Sequence, residues 1–273
     1  MSEPLTVDAD LQRLEQIIRR GGPSITAFSG GVDSTLVAVA AARVHGKQTL
    51  AVTGVSPSLS AAEHEHARRM ADQLGLRHRL IDTHELTRPR YRANAGDRCY
   101  HCKTELFERL VTLARDEGYP SVLSGDNLDD LGGHRPGLAA AAQLGIRQPL
   151  VEAALGKAQI RALARRLGLP NHAKPASPCL ASRIPSGTPV DAQILARIEQ
   201  AEDGVRALGF RIFRVRHHGD LARIELDAAE LPAALGHRLA LVAACKRAGY
   251  RFVALDLAGF RSGSLSIVDE VTR

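Results

Sequence analysis

From residue 7 to about residue 169, short apolar runs alternate with stretches whose apolar residues recur at helical spacing. Residues 24–28, 49–55, 78–82 and 120–123 read as strands, while over residues 61–74 Ala67, Met70, Ala71 and Leu74 mark one buried helix face. Strands alternating with helices predict an α/β domain, a parallel sheet flanked by helices. Residues 170–189 hold five of the chain's 13 prolines and no apolar periodicity, so they read as an ordered loop or a linker. Beyond it the pattern predicts a helix over 191–208, strands over 212–217 and 222–226, a long helix over 231–248 and a strand over 252–257. That order suggests a smaller C-terminal α+β domain. The expected division is 1–170, a connecting loop over 171–190, and 191–273.

Composition narrows the class. With 273 residues, 44% hydrophobic and 24% charged, the chain is an ordinary globular protein, and no stretch reads as a membrane span. The acidic opening lacks the basic start and apolar run of a secretory signal, so a cytoplasmic protein is expected. Lys and Arg number 36 against 30 Asp and Glu, a net charge of +6 that is spread along the chain and suits an anionic ligand. Aromatic residues are only 4%, with no Trp, which offers little for stacking on nucleic-acid bases. Four cysteines in a reducing compartment point to metal, redox or catalytic chemistry before disulfides.

The first strand runs straight into Ser29-Gly30-Gly31-Val32-Asp33-Ser34 and then into the helical pattern that Thr35 begins. Two glycines let backbone N–H groups approach an anion, the helix start adds its positive dipole end, and Ser29, Ser34 and Thr35 offer hydroxyls. This is a phosphate cradle, set against the plainer reading of a capped tight turn. It has neither the spacing and lysine of a Walker A loop nor a dinucleotide GxGxxG. Asp33 inside such a loop suits Mg²⁺ held against a pyrophosphate leaving group. After the fourth strand comes Gly125-Asp126-Asn127-Leu128-Asp129-Asp130, whose adjacent carboxylates Asp129 and Asp130 suit the same ion or form a solvated turn. Cys179 lies in the polar proline-rich loop with Lys174 and Arg183 near in sequence, cations that would favour a nucleophilic thiolate. Arg214 and Arg216, two apart in a strand, share a face and could fork an anion or simply be solvated. Cys99 and Cys102 form a CxxC without the second knuckle of a zinc site, and Cys245, in an apolar helix, reads as core.

The loop Ser29 to Ser34, together with the acidic loop, resembles the pyrophosphate loop of the ATP pyrophosphatases. The strings RCYHCK from Arg98, RPGL from Arg135, KPASPCLASR from Lys174, RVRHHG from Arg214 and RSGS from Arg261 are similar to the LarE family of ATP-dependent sulfur transferases within that superfamily, over about residues 10–265. The resemblance implies a PP-loop domain that binds ATP and Mg²⁺ through Ser29, Gly30, Gly31, Asp33, Ser34, Gly125, Asp129 and Asp130. It further implies adenylation and thiolation of the carboxylates of pyridinium-3,5-biscarboxylic acid mononucleotide for the nickel-pincer cofactor of lactate racemase. Cys179 would be the sulfur-bearing nucleophile. A mononucleotide phosphate would sit near Ser182, Arg183, Arg214, Arg216 and Arg261, and an active-site carboxylate would be Glu202 in preference to Glu199.

Three-cysteine members of this group also suggest that Cys99, Cys102 and Cys179 hold a four-iron four-sulfur cluster carrying sulfide, slightly preferred to sacrifice of the Cys179 sulfur. The expected partners are the small nucleotide substrate, other nickel-pincer biosynthesis enzymes and further copies of the chain, with no membrane and no nucleic acid. The competing functional readings are a tRNA-thiolating or amide-forming PP-loop ligase and a non-enzymatic ATP-gated or iron-sulfur scaffold.

Overall fold

The computed structural model describes residues 3–132 and 136–261. In chain order the elements are α1 (Glu3–Arg20), β1 (Ser24–Ala27), α2 (Val32–His45), β2 (Leu50–Val55), α3 (Ala61–Gln73), β3 (His78–Asp82), α4 (Pro89–Ala93), α5 (Arg98–Asp116) and β4 (Ser121–Leu123). There follow α6 (Pro136–Gln143), α7 (Pro149–Glu152), α8 (Lys157–Arg166), α9 (Ala192–Ala207), β5 (Phe213–His218), β6 (Leu221–Leu226), α10 (Leu231–Gly236), α11 (Arg238–Arg247) and β7 (Phe252–Leu255). They form two compact units. Unit 1 comprises residues 1–88 and 97–177, and unit 2 comprises 89–96 and 178–273.

Unit 1 is the predicted parallel sheet, in the order β3-β2-β1-β4. Its central strand β1 pairs Ile25 with Leu50 of β2 on one side and with Val122 of β4 on the other. Both sheet faces are covered. Leu14, Ile18, Leu36, Val37, Ile160 and Leu163 build a core from α1, α2 and α8, while Ile25, Val52, Phe107, Leu110 and Ala140 join strands to α5 and α6. Helix α2 is apolar nearly all round because it is buried on most sides. A helix at the N-terminus, α1, is absent from the sequence reading, as is the continuous helix α5 that carries the CxxC in its first turn.

A carboxylate at the edge of this core makes the unit's stability acid-sensitive. Glu105 of α5 accepts from Arg109 Nε (2.6 Å), the amide of His84 (3.1 Å) and Arg88 Nη2 (2.7 Å). Burial pushes its carboxyl up, but these donors outweigh it and hold the pKa at about 2, below the ordinary 4.5. A depressed pKa contributes stability that is complete above the unfolded value and lost as pH falls through the folded one. Denaturant midpoints of wild type should therefore decline between about pH 4.5 and about pH 2, and the deficit of Glu105→Gln at pH 7 should shrink across that window. A pH-independent gap between the two proteins would refute the assignment.

Unit 2 is a three-stranded mixed sheet, β5-β6-β7, with β5 and β6 antiparallel and β7 parallel to β6. His218 pairs with Leu221, leaving the two-residue turn Gly219-Asp220, and Gly219 takes the left-handed φ of 61° that such a turn needs. Phe213, Val215, Ile224, Leu226, Leu241 and Cys245 form the core under α9 and α11. Asp191 caps α9 by accepting from the amide of Ile194 (2.8 Å). The single helix expected over 231–248 is instead two, α10 and α11, meeting at His237 beside Gly236.

The proline-rich stretch is divided between the units at residues 177 and 178, and unit 2 also takes in residues 89–96. Asn94, at φ 52°, donates through Nδ2 to the carbonyls of Pro185 (2.8 Å) and Thr188 (2.9 Å), and its carbonyl accepts from Gly187 N. Asn tolerates that left-handed backbone. Composition gives no sign of this insertion, because three side-chain and backbone contacts define it and no apolar run does. Among the described residues no helix is long and apolar enough to cross a membrane.

Candidate functional site

The carboxyl end of β1 is where strand order reverses, since the chain builds outward from β1 through β2 to β3 on one side and then returns to add β4 on the other. Ligands of open α/β sheets bind at such a switch point. The loop from Ser29 to Ser34 stands there. Gly30 has φ 69°, and a Cβ on it would lie 2.9 Å from Ala67 Cα, so both conformation and space require glycine. Gly31, extended, is the N-cap of α2 and brings no side chain to its first-turn amides, whose N–H groups have no intrahelical acceptor. Ser34 Oγ closes the loop by donating to Gly31 O (3.2 Å) and accepting from Ser29 N (3.2 Å), with Ser29 Oγ 3.1 Å away.

The outer side of the loop is fixed by a residue that sequence patterns did not single out. Buried Asn171 donates through Nδ2 to both Gly30 O and Thr35 Oγ1, each at 2.8 Å, and His66 Nε2 lies 3.1 Å from the same Gly30 carbonyl. These contacts fix the orientation of the Gly30 carbonyl, while the Gly31 amide donates to Ser29 Oγ (3.3 Å). Gly125 closes on the other side, where a Cβ would meet Ser34 N at 2.7 Å.

The cleft in front of the loop has a volume of about 290 Å³, with Phe28, Gly54 and Leu106 among its apolar lining and Asp33, Lys103 and Asp126 among its charged lining. Lys103 of α5 donates to Asp126 Oδ1 (2.5 Å), and Ser124 Oγ donates to Asp126 Oδ2 (2.8 Å). Asp33 accepts from Lys157 Nζ at 2.8 and 2.6 Å. Burial pushes the Asp33 carboxyl up, with Asp130 adding to the shift while the Lys157 hydrogen bond opposes it. Of the acidic loop's other members, Asp129 Oδ2 accepts from the Lys157 amide (2.8 Å) at the start of α8, and Asp130 Oδ2 from the Asn127 amide (3.1 Å). Gly125 and Asp126 line the cleft, and of these Asp126 was not proposed from sequence.

The donor set suits magnesium. Asp33 and Asp130 are oxygen donors, Asp130 near enough to help push the Asp33 carboxyl up, and Mg²⁺ needs only one or two carboxylates beside phosphate oxygens.

In unit 2, Cys179 is half-buried and opens a short 3₁₀ turn, Leu180–Arg183. Arg183, only 4% exposed, ties that turn down. Its Nη1 donates to the carbonyls of Pro178 (2.6 Å) and Cys179 (3.0 Å) and to Ser182 Oγ (3.0 Å), while Nε and Nη2 reach the two oxygens of Glu202 at 2.8 and 3.0 Å. Glu202 Oε1 also accepts from Val215 N (3.1 Å), so α9, β5 and the cysteine turn meet at one buried ion pair. Arg216 makes a second, donating to Glu225 Oε2 (3.0 Å) and to Ser182 O (2.9 Å), with Glu225 fully buried.

Arg214 and Arg216 do share a strand face, yet their surroundings differ. Arg214 is partly buried over the Phe260 ring at 4.8 Å, and burial, with Arg183 adding, lowers its pKa to about 10. Of the proposed anion-binding arginines, Arg183 and Arg216 are engaged in these pairs and Arg261 is exposed. Glu199 is half-buried on α9 and Cys245 is buried, its thiol pushed up to about 11 by burial. His217 sits 3.1 Å from Tyr250 Oη in the unit's interior. Arg135 and residues 262–264 of the quoted strings lie outside the described residues.

The expected iron-sulfur cluster finds no support. Cys99 and Cys102 belong to unit 1 and Cys179 to unit 2, and among the described residues no group of three or more His, Cys, Asp or Glu is arranged to hold a metal ion.

Residues 15–170 match the asparagine synthase family. The chain is 42% identical to an uncharacterized protein of Synechocystis sp., covering 96% of this chain and 98% of that one. It is 38% identical to the pyridinium-3,5-bisthiocarboxylic acid mononucleotide synthase of Lactiplantibacillus plantarum, covering 88% of this chain and 87% of the relative. A third relative, an uncharacterized protein of Methanocaldococcus jannaschii, is 28% identical over 87% of the chain and 90% of its own length.

Proposed function

The chain belongs to the LarE family of PP-loop ATP pyrophosphatases, and from that premise we propose that it adenylates and thiolates the carboxylates of pyridinium-3,5-biscarboxylic acid mononucleotide, with Cys179 as the sulfur donor. The observation that carries the reading is the glycine loop at the carboxyl end of β1, its Gly30 carbonyl pinned by Asn171, beside a cleft of about 290 Å³.

ATP enters with its base against Phe28, Gly54 and Leu106 and its phosphates on the amides of the loop and α2. Mg²⁺, held by Asp33 and Asp130, would neutralise phosphate charge as pyrophosphate leaves. A substrate carboxylate oxygen attacks the α-phosphorus, the bond to the β-phosphate oxygen breaks, and an acyl-adenylate and pyrophosphate result. The Cys179 thiolate then attacks the acyl carbon and expels AMP, giving a thioester. Removal of the Cys179 α-proton breaks its Cβ–S bond, which releases the thiocarboxylate and leaves dehydroalanine. The two buried ion pairs hold the turn that presents Cys179, and Arg214 offers the substrate anion a desolvated guanidinium.

Phosphorus NMR of the spent nucleotide tests the first step. AMP and pyrophosphate are expected, and Ser34→Ala should cut their formation by roughly 10²-fold or more, the scale of losing a preorganised contact to developing charge. ADP with orthophosphate would overturn the reading.

A further inference from the structure

Helix α3 and the turn after α8 enclose a second cleft, of about 460 Å³, whose lining shares no residue with the cleft in front of the glycine loop. It lies wholly within unit 1, between His66, Arg69 and Met70 of α3 and Pro170, Asn171 and Lys174 of the turn. The glycine loop backs onto its walls, since His66 Nε2 and Asn171 Nδ2 both meet the Gly30 carbonyl. The proposed sulfur-transfer chemistry makes no use of it.

Its polar groups are of two kinds. Asn171 is 3% exposed, and its Nδ2 is committed to Gly30 O and Thr35 Oγ1 at 2.8 Å each. Those two acceptors fix which way the amide faces, and they leave Oδ1 buried without a hydrogen-bond partner among the described residues. A buried acceptor left unmet is costly, so the cleft favours a ligand that brings its own O–H or N–H. Beside it stand two cations with donors to spare. Arg69 Nη1 is 3.7 Å from Glu65 Oε1, outside hydrogen-bond reach, and Lys174 Nζ donates to Glu63 Oε2 (2.7 Å), which uses one of three ammonium hydrogens. Arg161 pins the turn by donating to the carbonyls of His172 (2.5 Å) and Lys174 (3.1 Å), so Asn171 and Lys174 stand on a fixed backbone. Met70 and Pro170 add apolar wall.

We propose that this cleft is a second anion site, for a phosphoryl group that comes with a hydroxyl: hydrogen phosphate itself, or a small phosphate monoester of a polyol. Arg69 and Lys174 take the anionic oxygens, and the hydroxyl donates to Asn171 Oδ1. An oxyanion without a hydrogen is disfavoured, because it sets a lone pair against that buried carbonyl oxygen. None of these contacts depends on a nucleotide in the first cleft.

Calorimetric titration of the full chain at pH 7 tests it, with inorganic phosphate, sulfate and glycerol 3-phosphate as probes. Phosphate should bind at least about tenfold more tightly than sulfate, the discrimination expected when one ligand meets a buried acceptor and the other opposes it. Arg69→Met and Lys174→Met should each weaken phosphate by about tenfold or more, the range of one charge-assisted hydrogen bond. Arg69 is 61% exposed, so its replacement leaves the packing of α3 in place. The site lost in these variants should persist within about twofold in Ser34→Ala, which alters the glycine loop instead.

The third probe separates the two sources of the phosphoryl group. Tighter binding of glycerol 3-phosphate identifies an ester whose body rests on Met70 and Pro170, and tighter binding of inorganic phosphate identifies the free ion. Binding that Ser34→Ala removes and both cleft variants spare belongs to the glycine loop and overturns the proposal. Sulfate equal to phosphate, or no saturation by either phosphate probe at about 10 mM, overturns it too.

Discussion

Glu202→Ala should destabilise unit 2 by about 3–5 kcal/mol, the usual cost of stranding one member of a buried ion pair. Glu202 receives three N–H groups, two from Arg183 and one from Val215, and both charged partners are nearly inaccessible to water. Alanine leaves a guanidinium in that interior with no counter-charge. Removing both charges with Arg183→Met and Glu202→Leu should recover most of the stability, because apolar residues of similar volume often replace a buried pair at little cost. The double variant lacks the donor that holds the carbonyls of Pro178 and Cys179, so it should fold and still fail in sulfur transfer. Urea unfolding supplies the stabilities, and hydrogen exchange in β5 locates them. A loss below about 1 kcal/mol for Glu202→Ala would mean a solvated pair of the surface kind.

Cys179→Ala should abolish thiolated product altogether while pyrophosphate release continues. In the proposed mechanism the chemistry divides at that residue, with adenylation assigned to the cleft of unit 1 and sulfur transfer to the thiol of unit 2. Wild-type protein should lose the mass of one H₂S per turnover and carry dehydroalanine at position 179, mapped by peptide mass. Cys99→Ser and Cys102→Ser should behave as wild type, and Cys245, buried with its thiol protonated, should be inert. Repeated turnover with unchanged protein mass, lost in Cys99→Ser, would overturn sacrifice of Cys179 in favour of sulfide carried by a cluster.

The sequence by itself determined the elements whose cause is local. Short apolar runs alternating with stretches of helical period placed the four parallel strands, and Ser29 to Ser34 marked the phosphate loop because the glycine and hydroxyl requirements of an anion cradle lie within six consecutive residues. The helical pattern began α9 at Asp191, and the structure supplies the cap there, with Asp191 accepting from the amide of Ile194. The cysteine turn and the two strand arginines were likewise legible as residues, from their neighbours in the chain.

What those residues do to one another was decided by the tertiary structure. Asn171 reaches Gly30 across 141 positions, Lys157 reaches Asp33 across 124, and residues 89–96 join unit 2 through Asn94 and carbonyls 91 and 94 positions away. No periodicity records such pairings. Arg183 and Arg216 look from sequence like surface cations awaiting an anion, yet Glu202 and Glu225 bury them, because a charge can leave water only where the fold supplies its counter-charge and fills its hydrogen bonds. That balance depends on distance and dielectric, and neither exists until α9, β5 and β6 have packed.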